Sequence, residues 1–133
     1  MNQLESLTEL LYGKGEPMPG STLGEDQAIA HVRTRFPHQG YCLVRDWIWI
    51  DLDLDVEESS IFEKHKRQPA VIFAHTVIFD SNRRYDVGDF VRTSPLHSFH
   101  DGFLFRTWNS IYVLLGNGVR KRAALKTLNQ LFC

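Results

Sequence analysis

Hydrophobic and polar positions alternate most regularly between Tyr41 and Val56, in YCLVRDWIWIDLDLDV, and this stretch predicts one long strand. Strict alternation puts Cys42, Val44, Ile48, Ile50, Leu52, Leu54 and Val56 on a core side. Leu43, Arg45, Trp47, Trp49, Asp51, Asp53 and Asp55 fall on the other side. That second side turns from aromatic at the tryptophans to an acidic ladder, whose carboxylates a strand would space at about 6.5 Å. The run Ala70–Phe79, AVIFAHTVIF, is apolar almost throughout and predicts a central strand covered on both faces.

Period-3.6 patterns lie on either side of these strands. Leu4, Leu7 and Leu11 mark a short amphipathic helix that Gly13 can end in a left-handed cap. Gly13–Gly20, GKGEPMPG, reads as a loop. Thr22-x-x-Glu25 has the form of a capping box, opening a second helix with Ala28, Ile29, Val32 and Phe36 as its stripe and a stop before Pro37. Glu57–Arg67 runs from acidic to basic, as a helix dipole prefers. Asp80-Ser-Asn is turn chemistry, and Tyr85–Ser94 reads as a strand around Gly88. Gly102–Trp108 and Ser110–Leu115 form a hairpin about Asn109, Gly116-Asn-Gly118 breaks the chain, and Val119–Phe132 reads as a C-terminal helix. The expectation is a single α+β domain over residues 1–133: a curved, mainly antiparallel sheet of about five strands, two N-terminal helices and a C-terminal helix.

Composition narrows the function classes. A hydrophobic share of 43% with 23% charged residues suits one globular core in a chain of 133 residues. The formal net charge of −1 argues against a general nucleic-acid binder. Cys42 and Cys133 make no disulfide framework and are expected as reduced thiols of a cytoplasmic protein. The N-terminus lacks the basic start and apolar core of a signal peptide, and no membrane partner is expected.

Several constellations invite chemistry. Asp51, Asp53 and Asp55 begin like a calcium loop, but Val56 stands where that loop needs glycine and Phe62 where it needs glutamate. Read instead as a charged strand, the ladder could imitate a nucleic-acid backbone or could simply be a solvated face that discourages edge pairing. His97, His100 and Asp101 offer three zinc-type ligands, with His75 a fourth, yet no second cluster completes a site, and neither metal nor cofactor is expected. The catalytic candidates are His75 as acid–base with Asp80 and Arg92, near Arg84, Asp86 and Asp89. Walker, G-x-G-x-x-G, G-x-S-x-G and H-E-x-x-H motifs are all missing. The basic stretch VRKRAALK reads as a solvated helix face, because no aromatic residues are interleaved to stack on bases.

The stretch from Arg83 to Ala123, with VGDFVRTSPL and YVLLGNGVRK as its signature, together with YCLVRDWIWIDL, resembles a family of small uncharacterised bacterial proteins also carried on prophages and other mobile elements. That family has no assigned catalytic residues to carry over; the resemblance implies a setting in which compact proteins bind and disable host components. The leading expectation is therefore a non-enzymatic module that binds another protein. Its partner would be a host nucleic-acid-handling or defence complex, inhibited in the anti-CRISPR manner and offering a basic surface. Trp47, Trp49, Asp51, Asp53 and Asp55 would form the contact. The alternative is a small enzyme acting on a nucleotide or phosphate-containing substrate through His75, Asp80 and Arg92. An architectural protein with a large apolar patch is a third possibility.

Overall fold

The computed structural model describes residues 2–130 of the chain. Cys133, expected as a reduced thiol, and Phe132, the end of the expected C-terminal helix, lie outside the described residues. Helix α1 (Gln3–Tyr12) starts at Asn2, whose side chain accepts from the Glu5 amide at 2.8 Å. It does not end in a left-handed cap. Gly13 is extended (φ −73°), and its amide donates back to the Glu9 carbonyl. The expected loop after it contains an edge strand, β1 (Glu16–Pro19), where Pro17 and Pro19 blunt further pairing. Helix α2 (Glu25–Arg35) begins two residues after the expected box, with Gly24 as N-cap and the Gln27 side chain accepting from the Gly24 amide.

Strand β2 (Tyr41–Asp53) is the axis of the molecule but stops short of Val56. Asp55 accepts from the Glu58 amide at 2.7 Å while the Glu58 side chain accepts from the Asp55 amide at 3.0 Å, and this reciprocal box opens α3 (Val56–Lys64). Val56, expected in the core, is exposed on the first turn of that helix. Strand β3 (Ala70–Asp80) pairs antiparallel with β2. The stretch expected as a strand from Tyr85 to Ser94 is mostly turn and contributes only β4 (Val91–Arg92). The His97–Asp101 stretch includes β5 (Ser98–His100). The hairpin is present as β6 (Leu104–Arg106) and β7 (Ile111–Leu114). The expected C-terminal helix is strand β8 (Asn117–Ala124) followed by the short helix α4 (Leu125–Asn129).

The fold is α+β, with four helices and a curled, mainly antiparallel sheet of eight strands among the described residues. On one side β2 meets β3; on the other it meets β7 along Tyr41–Val44 and then β8 along Ile48–Asp53, both parallel. The sheet divides at that change of partner, one arm running through β7, β6 and β5 and the other through β8 and β1. From Val44↔Leu114 to Ile48↔Val119, four steps along β2 face five along its partner. Gly116 takes up the extra residue at φ +68°. The β5 arm and the β3–β4 arm then meet in one stretch of chain. The amides of Thr93 and Leu96 donate to Ile72 and Ala70 of β3, and the His97 amide donates to Arg106 of β6, so the sheet closes on itself.

Asp46, at φ +53°, resets the alternation of β2. Val44, Trp47 and Trp49 enter the larger core with Ile72, Ala74, Phe105 and Val113, beside Ala28 and Val32 of α2. Ile48, Ile50 and Leu52 enter a second core with Val71, Phe73, Leu10 of α1 and Leu128 of α4. Both faces of the central strand are thus covered. No helix among the described residues is long and apolar enough to cross a membrane.

Candidate interaction surface

The aromatic half of the expected contact face is not open, while Asp53 and Asp55 lie at the surface. Trp47 is 1% exposed and Trp49 6%. The Trp47 indole lies against the fork of the sheet, where its Nε1 donates to the Leu115 carbonyl at 3.1 Å. Trp49 packs edge-on against Phe99 and Phe105, with ring centroids 5.0 and 5.2 Å away. A single strand cannot show its reader what curls over it. Here the β5–β6 arm does so.

The carboxylates of the ladder are engaged from the neighbouring strand. Arg120 donates to both oxygens of Asp51 (Nε 2.6 Å, Nη2 2.9 Å), and the Trp49 Nε1 adds a third donor at 3.1 Å. Arg122 donates to Asp53 through Nε and Nη2 at 2.9 and 2.7 Å. Burial works against ionisation of Asp51, but the hydrogen bonds from Arg120 and Trp49 outweigh it and hold the carboxyl below its ordinary range. Asp55 is the cap of α3. The acidic ladder and the basic VRKR segment, which read as two separate solvated features, are two halves of one zipper.

Of the catalytic candidates, Asp80 stands apart from His75, while Arg92 lies across from Phe73, two residues from His75 along β3. His75 and Asp80 are five residues apart on β3, about 16 Å along a strand. The buried Asp80 carboxylate is closed by the amides of Arg84 and Tyr85 and by the Arg84 guanidinium. Arg92 reaches Asn129 on α4 at 3.4 Å. Burial pushes the Cys42 thiol up to about 12, with Asp80 adding to the effect, so it is not a thiolate nucleophile. His97 packs on Trp108, His97 and His100 both contact the Ser98 hydroxyl, and Asp101 pairs with His31 at 2.9 Å and Arg35 at 3.3 Å. Among the described residues no three His, Cys, Asp or Glu side chains are grouped to hold a metal ion.

Sequence reasoning missed a different surface. Tyr12, at the end of α1, stacks on His75 with centroids 5.5 Å apart. His75 meets Phe73 edge-on at 5.0 Å, and Phe73 stacks on Phe90 at 5.9 Å. Tyr12 is 75% and Phe90 55% exposed, and Val87, in the turn before Phe90, is 76% exposed. The strip joins a helix end, a strand and a turn that are distant in sequence, so no local pattern announces it. Beside His75, a cavity of about 220 Å³ is bordered by Leu11, Asp46, Trp47, Asn117 and Lys121. Lys121 serves the fold there: its Nζ donates to the carbonyls of Glu9, Leu10 and Gly13 at 3.0, 2.7 and 2.7 Å, closing the C-terminus of α1.

Neither the curated proteins nor the solved structures contain a match to this chain. The residues from Pro19 to Gln130 hold β2 through α4, and so contain the zipper, the closed sheet, His75 and Phe90, while Tyr12 precedes them. The model of a family described as "Domain of unknown function (DUF6957)" matches over those residues 19–130, and the chain belongs to that family.

Proposed function

We propose that this chain is a non-enzymatic protein-binding module, acting in the cytoplasm, whose contact surface is the strip formed by Tyr12, His75, Phe90 and Val87. One observation carries the reading: Tyr12 and Phe90, from separate elements and each more than half exposed, are linked by ring contacts through His75 and Phe73. Such a strip offers rigid aromatic anchors of the kind that dominate interface energetics. The finer expectation, inhibition of a nucleic-acid-handling complex by charge mimicry, draws no support from Asp51 and Asp53, whose charges are neutralised within the molecule. The enzyme alternative is weakened because Asp80, five residues from His75 along β3, is closed by Arg84 and Tyr85.

Tyr12→Ser and Phe90→Ser made together provide the test. Immobilised wild-type and double variant, both shown to be folded by circular dichroism, are used in parallel to capture proteins from a bacterial lysate. Proteins held by the wild type and lost by the variant are the expected result. Identical sets on the two columns would reject the strip as the contact.

A further inference from the structure

The β5–β6 pair, where it meets the end of α2, holds more cation than its own carboxylate neutralises. Ser98 and Arg106 are directly opposite one another in that antiparallel pair, and His100 lies two residues along β5, so the three side chains project to one side. Phe36, the C-cap of α2, is their shared neighbour. Its ring meets His100 edge-on with centroids 5.2 Å apart, and the guanidiniums of Arg35 and Arg106 stand 5.1 and 5.4 Å from its centre. The Asp101 carboxylate receives His31 at 2.9 Å and Arg35 at 3.3 Å, so Arg35 is matched. The Arg106 guanidinium donates no hydrogen bond and joins no ion pair among the described residues.

The Ser98 hydroxyl is the polar centre of the group, 2.9 Å from His97 Nδ1 and 2.8 Å from His100 Nε2. With hydrogen on both ring nitrogens, the hydroxyl accepts twice and offers its own hydrogen to a guest. Burial and the charges of Arg35 and Arg106 hold the His100 pKa below its ordinary range, with Asp101 opposing them and His97 adding to them. An arriving anion relieves that repulsion. An uncommitted guanidinium, a hydroxyl and a histidine whose protonation an anion favours make the donor set of an oxoanion site. Beside it, His97 meets Trp108 edge-on at 4.3 Å, and the indole is 51% exposed. Cations and aromatic rings are interleaved here, as they are not in the VRKR segment, and an open indole beside a phosphate site is a platform on which a nucleobase can stack.

We propose that this face binds a free nucleotide, with Arg106, His100 and the Ser98 hydroxyl on its phosphate and Trp108 against its base. The site shares no residue with the strip of Tyr12, His75 and Phe90, and it stands or falls separately from that contact surface.

The test is an NMR titration of the whole chain, at constant ionic strength, with adenosine monophosphate, inorganic phosphate and adenosine. The monophosphate should shift the Ser98 and His100 amides and the Trp108 indole to saturation. Phosphate should shift the two amides alone, and adenosine should bind at least about tenfold less tightly than the monophosphate. The His100 pKa, followed through its ring resonances, should rise on binding, because a bound anion favours the protonated ring. Arg106→Gln removes a guanidinium that no hydrogen bond ties into the fold, and it should weaken both the monophosphate and phosphate about tenfold. Trp108→Leu should weaken the monophosphate and leave phosphate as it was. Adenosine bound as tightly as the monophosphate, or monophosphate binding unchanged by Arg106→Gln, would overturn the phosphate site. A monophosphate that binds without moving the Trp108 indole, or equally well after Trp108→Leu, would overturn the assignment to a nucleotide.

Discussion

Gly118 shows how much one missing methyl group decides. A Cβ there would lie 2.4 Å from the Trp47 ring and 2.5 Å from the Trp47 carbonyl, and one on Gly20, just after β1, would lie 2.4 Å from the Gly116 carbonyl and 2.8 Å from the indole. Neither the fully buried ring nor the strand backbone can yield cheaply, so Gly118→Ala should destabilise by about 1–3 kcal/mol in denaturant titration. A change below about 0.3 kcal/mol would mean that the sheet adjusts freely at the fork. Asp51 makes a prediction of the opposite kind, set by pH. Its carboxyl is held below the ordinary range in the fold, so the Arg120 pair contributes fully above about pH 4 and is lost as the pH falls through the folded value. Because Arg120 is nearly half exposed, the contribution at neutral pH should be only about 1 kcal/mol. Asp51→Asn is expected to show that deficit at pH 7 and to approach wild-type stability near pH 2. A deficit that does not change with pH would show that the ion pair is not its origin.

At the level of elements, α1 is held by a side chain from the far end of the chain. Lys121→Met keeps the aliphatic stem but removes three donors from the α1 terminus, whose carbonyls are then left to solvent. Amide exchange in Glu9–Gly13 should accelerate at least about tenfold, the equivalent of about 1.4 kcal/mol, while amides in the middle of β2 change little. Uniform acceleration through both would show that α1 opens only with the whole domain. The same elements explain what periodicity could and could not reveal. Strands β2 and β3 and the β6–β7 hairpin are long or apolar enough that their own residues announce them. Val119–Ala124 is different: Val119 and Ala123 are spaced for a helix face, but Val119, Lys121 and Ala123 also alternate, and pairing with β2 settles the choice. Asp51 with Asp53 and Arg120 with Arg122 share a two-residue spacing, the one trace in sequence of the zipper they form. The aromatic strip left no such trace, since its members come from α1, β3 and the turn before β4.

For the molecule as a whole, closure of the sheet predicts cooperativity. Thr93 supports the closing seam twice, its amide donating to Ile72 and its hydroxyl accepting from the Ile72 amide at 2.9 Å. Thr93→Val would leave that buried amide without its side-chain partner at a cost of about 1–3 kcal/mol. Tryptophan fluorescence, which reports Trp47 and Trp49 in the larger core together with the half-exposed Trp108, and far-ultraviolet dichroism, which reports every element, should trace a single transition in wild type and variant. Separated midpoints would mean that the β1–β8 arm and the closed arm unfold independently.

The order in which the strands are made has a further effect during synthesis. The partners on the second side of β2 are β7 and β8, which leave the ribosome long after the β2–β3 hairpin has had time to form. Until Ile111 emerges, the nascent chain carries a 13-residue strand, rich in tryptophan and isoleucine, with one hydrogen-bonding edge bare. Fragments cut before that point are therefore candidates for chaperone capture or aggregation, and premature stop codons in this half of the coding sequence should produce insoluble product rather than a smaller working domain.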